Sequence, residues 1–362
     1  MQKYIELCPS FQIFLASINS DRTKVTYRKG INHFMNFHGI KDYQDIVKAD
    51  TDTIQDWLEK WVIGQKDKGL RHNTIVGRLN SVELFLDMNK KTWFRKIVRK
   101  LLPSNDEIPG GEVPFTTDEI YRMLQACKKP RDAAILHFFA STAARPASIE
   151  DPVLRKKHLL KIEDCYGIKI YDGSKEGYWA FLTPEARKAL DIYFNSRKRN
   201  GEDITDESPL FATYPNEPKT QHEWMSLFSA RRTLDRFFKV AGIERKKTGN
   251  RFDKAIVYGF RKRFNGILKM DNQINSNITE KLMAHKNGLD GHYLKPTMEE
   301  CFREFKKAIP ELTIDPTKRL KMENEKLESK NKDKQMLEDK VARQDQAIVK
   351  ILSDLDELKK IQ

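Results

Sequence analysis

The sequence contains few cysteines and no pair of them at metal-ligand spacing. Four are present, Cys8, Cys127, Cys165 and Cys301, and they are widely scattered. Without a C-x-x-C pair, neither a zinc ribbon nor a disulfide framework is indicated. We interpret the cysteines as small apolar side chains in a reducing compartment. No apolar run approaches the length of a membrane span, and the N-terminus lacks a basic-then-apolar signal pattern. We therefore expect a cytoplasmic protein.

The sequence also lacks the nucleotide-phosphate motif G-x-x-x-x-G-K-[ST], so no ATP-driven chemistry is indicated. What it has instead is an excess of basic residues. With 66 Lys and Arg against 52 Asp and Glu, the formal net charge is +14 over 362 residues. This charge fits a polyanionic partner, although a basic charge by itself could serve only solubility. The length is sufficient for two domains and an appendage.

The stretch from Tyr258 to Tyr293 carries residue types that suit phosphate chemistry. Tyr258 and Arg261 are three residues apart in a helical pattern, so both can face one site. A short helix predicted over about 278–284 leads to His285, and a glycine-containing turn then presents Tyr293. A guanidinium binds non-bridging phosphate oxygens, an imidazole hydrogen-bonds the phosphoryl group, and a phenol can attack it.

These residues resemble the motifs of the tyrosine recombinases, the phage integrase family of DNA-breaking and rejoining enzymes. The resemblance implies an upstream arginine and a lysine on a hairpin. FFASTAARPASIE places Arg145 after an apolar helix, and KIYDGSKEGYWAFLTPEA predicts two strands joined at Asp172-Gly173 with Lys175 at the tip. The resemblance covers the chain to about Ile314. It is closest to archaeal integrases. Their C-terminal segment is resembled here by the stretch HYLKPTMEECFREFKKAIPELTI.

The resemblance implies a role for each residue. Tyr293 attacks a scissile phosphate and forms a 3′-phosphotyrosine. Arg145 and Arg261 neutralise charge on the non-bridging oxygens. Lys175 protonates the leaving 5′-oxygen, and His285 orients the phosphate. No metal or other cofactor is implied.

The sequence departs from the family pattern at two positions. Tyr258 stands three residues before Arg261, where the family usually has a histidine, and Ala284 stands where a glycine often precedes the later histidine. A phenol is a poorer proton acceptor than an imidazole near neutral pH, so Tyr258 is a doubtful base. For Tyr258, a direct role in the site and a packing role are equally open.

Each candidate also has an ordinary structural interpretation. Arg145 could form an ion pair at a helix end, and Lys175 could be an ordinary hairpin lysine, with Lys169 as its nearest competitor inside a strand. His285 could be a structural histidine, in which case His292 is the alternative. Tyr293 has no close rival, because no other tyrosine lies near it in the C-terminal segment.

The predicted fold class is mainly α with a small β-sheet. We predict a helical core-binding domain over residues 1–105, a linker over 106–113, an α+β catalytic domain over 114–315 and a coiled-coil tail over 316–362. Helix-start signals support this division: Ser20 or Asp21, Asp50 or Thr51, Thr74, the capping boxes Thr116/Glu119 and Thr297/Glu300, and Thr183-Pro184. In the first domain, basic residues that could meet DNA phosphates are Lys24, Arg28, Lys68, Arg71, Arg78, Lys90 and Lys91. Trp57 and Trp61 share an apolar stripe and are predicted to lie in the core.

From Pro316 the sequence becomes a charged segment with a heptad pattern. One row at sevens holds Leu320, Leu327, Val341, Ile348 and Leu355, interrupted by Lys334. The companion row holds Leu337, Ile351 and Leu358, but also Glu323, Lys330 and Gln344. The pattern predicts a coiled coil that is weak at its start and stronger near its end. The alternative is a solvated charged helix without a partner.

The resulting hypothesis is a site-specific DNA recombinase or integrase that inserts or excises a mobile element. Its expected partners are double-stranded DNA and further copies of itself, as a tetramer on paired DNA sites, with no membrane. We expect it to be cytoplasmic and associated with the nucleoid. Two rivals remain: a type IB topoisomerase-like nicking and closing enzyme, and a non-catalytic architectural DNA-binding protein.

Overall fold

The computed structural model describes residues 8–105, 111–214, 223–248, 251–285 and 295–360. The chain divides into two compact units, Met1–Ile108 and Pro109–Gln362, and the division falls within the predicted linker. Each unit has its own apolar core. The predicted DNA-binding role of the first unit and catalytic role of the second stay predictions at this point.

The first unit is helical. Its helices are α1 (Pro9–Ala16), α2 (Asp21–His38), α3 (Tyr43–Lys48), α4 (Thr51–Asp67), α5 (His72–Met88) and α6 (Arg95–Lys100). The Ser20 side chain accepts a hydrogen bond from the Thr23 amide to begin α2, and Gly39 ends that helix in the left-handed conformation at φ 68°. Asp50 caps α4 in the same way as Ser20 caps α2.

The predicted burial of two tryptophans in the core of the first unit is confirmed fully for one and only in part for the other. Trp61 is fully buried, whereas Trp57 is only partly buried at the edge of the cluster. The sequence patterns missed α1 and α3, because both are short and carry too few turns for a helical period to be recognised. The third predicted helix begins at His72 rather than at Thr74, since the extended residue before the helix is Arg71.

The second unit combines helices with two small sheets. Its elements are α7 (Thr117–Gln125), α8 (Pro130–Thr142), β1 (Leu159–Ile162), β2 (Cys165–Ile170), β3 (Tyr178–Leu182), α9 (Pro184–Arg199), α10 (Leu227–Val240), β4 (Lys247–Thr248), β5 (Arg251–Phe252), α11 (Tyr258–Met270), α12 (Ser276–Leu282), α13 (Met298–Leu312) and α14 (Pro316–Lys360). Short 3-10 helices lie at Pro146–Ile149 and Lys156–His158. Both predicted capping boxes are present, at α7 and α13, and Thr183 caps α9.

The larger sheet is an antiparallel meander in the order β1-β2-β3. Its register pairs Leu160 with Gly167 and Gly167 with Phe181. Phe181 packs against Phe302 and Phe305 of α13, with ring centroids 5.3 Å apart in both cases. The predicted hairpin corresponds to β2 and β3. Strand β1 was missed because the sequence before β2 has no turn signal as strong as Asp172-Gly173.

Two contacts fasten α8 to this sheet. The Ser141 hydroxyl donates to the Phe181 carbonyl at 3.0 Å and accepts from the Thr183 amide at 2.8 Å. The end of α8 is therefore fixed beside β3, and this position determines where the chain after α8 can place its side chains.

Helix α10 begins at Leu227, and the Ser226 side chain caps it by accepting a hydrogen bond from the Ser229 amide. Trp224, shortly before it, lies in an isolated bridge with Ala212. The serine hydroxyl satisfies an orphan amide of the first turn, which an indole cannot do.

The long C-terminal helix α14 covers 45 residues. Asp315 begins it by accepting hydrogen bonds from the amides of Thr317 and Lys318. Within the described residues, the structure contains no helix with the length and apolar character needed to span a membrane.

Candidate active site

The end of α8 delivers Arg145 to the site. Ala143 terminates the helix in the left-handed conformation, with φ 49° and ψ 27°. This conformation costs an alanine roughly 1–2 kcal/mol. The Ala143 carbonyl accepts a hydrogen bond from the Arg261 guanidinium, and this hydrogen bond stabilises the turn. Arg145 follows two residues later, partly buried, just before the 3-10 helix Pro146–Ile149.

Helix α11 delivers Arg261 to the same site. Gly259 permits a close approach here, because a Cβ atom at that position would lie 2.7 Å from the Phe115 ring. Arg261 is only 6% exposed. Besides the Ala143 carbonyl, it donates to the Met283 carbonyl at 2.9 Å and to His285 Nε2 at 2.9 Å. Burial lowers the pKa of Arg261, and the nearby positive charge of Arg145 lowers it further.

Arg145 is held by the same segment that binds Arg261. Its Nη2 donates to the Ala284 carbonyl at 2.6 Å, one peptide unit beyond the Met283 carbonyl used by Arg261. Ala284 is also left-handed, at φ 53°. Among the described residues, no carboxylate forms an ion pair or hydrogen bond with either guanidinium. Two adjacent positive charges are thus held by neutral carbonyls, which leaves their field available to an anion.

His285 is oriented by Glu280 of α12. Its Nδ1 lies 2.6 Å from Glu280 Oε2, while its Nε2 receives the Arg261 hydrogen bond. Because a guanidinium can only donate, the network assigns the proton of a neutral imidazole to Nδ1. Glu280 also forms an ion pair with Lys269. Burial alone would raise the pKa of Glu280, but hydrogen bonds from Lys269 and His285 outweigh burial and lower it.

Two phenols beside the arginines were not predicted from sequence. Tyr178, the first residue of β3, is 8% exposed, and its hydroxyl is buried. Burial raises its pKa to about 12, although the charges of Arg261 and Arg145 act in the opposite direction. Burial likewise raises the pKa of Tyr171, which precedes the Lys175 turn. Sequence spacing gives no signal for either residue, because their nearness to the arginines arises from the packing of β3 beside α8.

Tyr258 and Lys175 are both exposed to solvent. Tyr258 begins α11 and is 52% exposed, so it is not a buried packing residue. Lys175 is exposed in the turn that joins β2 and β3, and it makes no ion pair or hydrogen bond within the described part of the chain. Its competitor Lys169 lies in β2, with its Nζ 4.8 Å from the centroid of the Trp179 ring. That contact occupies Lys169, whereas Lys175 is free to meet a ligand.

The structure therefore brings together Arg145, Arg261 and His285 at one segment. Tyr258 lies on the same helix as Arg261, and Lys175 lies in the exposed β2-β3 turn, where no described contact connects it to these residues. Tyr293, His292, Gly288 and Gly291 lie outside the described residues, so their placement is not part of this geometry. Within the described ranges, no group of three or more His, Cys, Asp or Glu side chains is arranged to hold a metal ion.

The candidate DNA-contacting residues of the first unit differ in how strongly they are engaged. Arg78 Nη1 donates to Gln65 Oε1 at 3.0 Å and also lies 3.0 Å from His33 Nε2, so this side chain is committed to its own unit. Lys24 pairs with Asp21 at 3.1 Å on an exposed surface, where such a pair has little strength.

Substitution of Glu280 by glutamine is expected to destabilise the protein by about 1 kcal/mol at pH 7, because charge-assisted hydrogen bonds to Lys269 and His285 are lost. Folding lowers the pKa of Glu280 from its ordinary value of 4.5. Its stabilising contribution is thus complete above that value and disappears as the pH falls through the folded pKa. Thermal unfolding should show a difference between wild type and Glu280→Gln that shrinks below pH 4.5, while exposed Glu244→Gln should match wild type throughout. A constant difference at every pH would contradict this assignment.

Comparison with solved structures identifies the fold. A XerH site-specific recombinase bound to a palindromic difH substrate, in a post-cleavage complex, matches with 14% identity, over 73% of this chain and 73% of that chain, at a TM-score of 0.52. The pre-cleavage complex of XerH with its difH substrate matches with 14% identity, over 73% and 74% of the two chains, at a TM-score of 0.50. The predicted fold class, mainly α with a small β-sheet, is confirmed. No family model matches the sequence. No curated protein matches it either.

Proposed function

We propose that this protein is a tyrosine-type site-specific DNA recombinase that cleaves and rejoins DNA through a 3′-phosphotyrosine intermediate. The observation that carries the proposal is the pair of guanidiniums, Arg145 and Arg261, which meet at the segment ending in His285 and have no carboxylate partner among the described residues. The fold shared with XerH, a recombinase solved on its DNA substrate, supports it.

A phosphodiester is the anion that this arrangement suits. The guanidiniums are fixed in advance by backbone carbonyls, so they need little rearrangement to stabilise charge that develops on non-bridging oxygens. Each keeps N–H groups beyond those it donates to the protein, since a guanidinium has five. The His285 Nε2 that now accepts from Arg261 lies beside this position. To donate to the phosphate, Nε2 must release the Arg261 hydrogen bond and carry a proton, while Glu280 holds the other ring nitrogen.

The covalent step is assigned to candidates that the resemblance supplies. The Tyr293 oxygen releases its proton to solvent and bonds to phosphorus, and the bond from phosphorus to the 5′-oxygen breaks. Lys175 gives that oxygen its proton, and solvent reprotonates the lysine. Tyr258 supplies a hydroxyl to the phosphate rather than acting as a base, because its phenol is a poor proton acceptor near neutral pH. The phosphotyrosine conserves the phosphodiester bond energy, so rejoining needs no ATP.

The further biological role is part of the proposal. Integration or excision of a mobile element, similarity to archaeal integrases and assembly as a tetramer on paired sites rest on the resemblance of the sequence motifs. Double-stranded DNA as partner agrees with the net charge of +14.

The deciding experiment recovers DNA that becomes covalently attached to the protein in host cells. After denaturation, the attached ends are sequenced, and we expect protein on the 3′-phosphate at a defined site. A nicked suicide duplex built on that site then separates the rivals: recombinant product supports the proposal, and relaxation without recombination supports a topoisomerase-like enzyme. Failure to form any adduct would leave an architectural DNA-binding protein.

Substitution of Lys175 by alanine tests the proton donor. We expect cleavage of an ordinary substrate to slow by roughly 10²-fold, since loss of a general acid typically costs 10²–10⁴. A substrate with a 5′-bridging phosphorothiolate should restore the rate, because a thiolate leaves without a proton. Lys169→Ala is the matched control, and this variant should cleave both substrates at the rate of the wild-type protein. Equal defects of Lys175→Ala on both substrates would remove Lys175 from this role.

A further inference from the structure

Helix α14 carries an apolar row that the second unit does not cover. Met322 packs against the core of the second unit, and Thr313 Oγ1 lies 3.7 Å from its Sδ. Beyond Met322, every side chain of the helix that the structure describes is exposed. This includes Leu337 at 64%, Val341 at 50%, Ile348 at 53% and Ile351 at 58%.

The spacing of these residues is that of an interface and not of a scattered surface. Leu337, Val341, Gln344, Ile348 and Ile351 follow one another by steps of four, three, four and three, and Leu355 and Leu358 continue the steps in the sequence. Side chains at these steps lie along one face of a helix. At about 1.5 Å per residue the 45-residue helix is roughly 67 Å long, and most of it extends past its contacts with the core. A stripe of this kind needs another helix to remove it from water.

We propose that residues 337–358 pair with the same residues of a second copy of this chain as a parallel, in-register, two-stranded coiled coil. In heptad terms Val341, Ile348 and Leu355 occupy the a positions, and Leu337, Gln344, Ile351 and Leu358 occupy the d positions. β-branched residues at two of the three a positions, with leucine at two of the three apolar d positions, favour two strands over three or four.

The single polar residue of the seam supports the parallel orientation. In a parallel in-register pair, Gln344 faces Gln344 of the second copy, and the two amides can donate to and accept from each other. In an antiparallel pair that keeps the seam overlapped, Gln344 faces Ile348, and its amide is buried without a partner. An unpaired buried amide costs about 1–3 kcal/mol, so the antiparallel pair is disfavoured.

The charges that flank the seam point in the same direction. In a parallel pair, Lys340 lies across from Asp345 of the second copy, and Asp354 lies across from Lys359. Both are opposite-charge pairs, and the symmetry of a dimer forms each of them twice. The antiparallel overlap instead places Asp345 across from Asp345, and it keeps only one kind of opposite-charge pair, Lys340 with Asp354. A second copy of this chain is therefore complementary to the seam in charge as well as in shape.

Lys334 marks the start of the paired segment. It occupies an a position, where two lysines would face each other across a parallel pair. In the structure its Nζ lies 3.7 Å from Glu338 Oε1 on the exposed surface. The pairing accordingly begins at Leu337 and extends over about three heptads. Because the seam is short and contains one polar layer, we expect an association that depends strongly on concentration. Binding of two copies to neighbouring DNA sites would strengthen this association.

The base of the tail is fixed to the helix that bears Arg261. Glu185 of α9 accepts hydrogen bonds from the amides of Ile314 at 2.6 Å and Asp315 at 3.2 Å. Arg263, two residues after Arg261, donates to the Glu311 carbonyl at 3.0 Å. Joining two tails therefore joins two second units through a defined attachment.

Sedimentation of the full-length protein without DNA tests the association, and it does so independently of the proposed reaction. We expect a concentration-dependent dimer. Ile348→Asp should shift the weight-average mass to that of the monomer, because a carboxylate is then buried in the seam. Gln346→Asp adds the same group at the outer f position and should behave as wild type. A wild-type protein that stays monomeric, or identical behaviour of both variants, would overturn the proposal.

Cysteine cross-linking tests the orientation. Val341→Cys and Ile351→Cys are oxidised separately and as a mixture in which one carries a size tag, with wild type as the control for the native cysteines. In the parallel pair, each variant should cross-link to itself, while the mixture gives no preferred 341-to-351 product. Cross-links formed only between position 341 and position 351 would show an antiparallel pair and contradict the proposal, as would a dominant trimer in sedimentation.

Discussion

Tyr293→Phe is expected to abolish covalent attachment to DNA while leaving duplex affinity within about twofold, since the variant loses only the oxygen that attacks phosphorus. Affinity comes chiefly from lysine and arginine contacts to many phosphates, which this change leaves in place. The measurement is adduct formation on a suicide duplex after denaturation, with a mobility shift at matched salt for binding. An effect below about 10³-fold on adduct yield would be too small for loss of the nucleophile.

Two control variants make this result specific. Tyr121→Phe removes a hydroxyl from α7 in the same unit, where the side chain packs at the edge of the core, and it should form adduct at the wild-type rate. Tyr258→Phe removes the exposed hydroxyl beside Arg261 and should slow cleavage without preventing it. A denaturant-resistant adduct with Tyr293→Phe would show that another residue attacks, and His292 or Tyr258 would be examined next.

Local signals in the sequence predicted the elements that local chemistry determines. Thr116 with Glu119, and Thr297 with Glu300, form the expected reciprocal caps, because both partners lie within one helical turn. The Asp172-Gly173 hairpin was found for the same reason: its turn needs the φ of 73° that Gly173 supplies. Short elements such as α1 and β1 were missed, since eight and four residues carry too little periodicity.

The contacts that build the site could not be predicted in this way. Arg261 and the Ala143 carbonyl are 118 residues apart, and Arg145 and the Ala284 carbonyl are 139 apart. No spacing rule connects them. The resemblance to a family supplied Arg145, Arg261 and His285 as candidates, but it did not supply Glu280 or Tyr178, whose positions depend on how α12 and β3 pack.

Replacement of the two arginines by alanine should separate chemistry from stability. We expect Arg145→Ala and Arg261→Ala each to reduce cleavage by roughly 10²–10³-fold, the usual effect of removing one fixed donor to a developing oxyanion. A 5′-bridging phosphorothiolate should rescue neither variant, because the arginines contact oxygens other than the leaving one. Rescue of either would place that arginine at the leaving group.

The two variants should nevertheless differ in stability. Arg261→Ala leaves the carbonyls of Ala143 and Met283 and the Nε2 of His285 without their donor. Each buried acceptor left unpaired costs about 1–3 kcal/mol. Arg145→Ala orphans only the Ala284 carbonyl, at a partly buried position. Thermal unfolding should therefore show a clearly larger loss for Arg261→Ala. Equal losses would mean that Arg145 braces the site as strongly as Arg261 does, and its guanidinium would then be less free for phosphate than the geometry indicates.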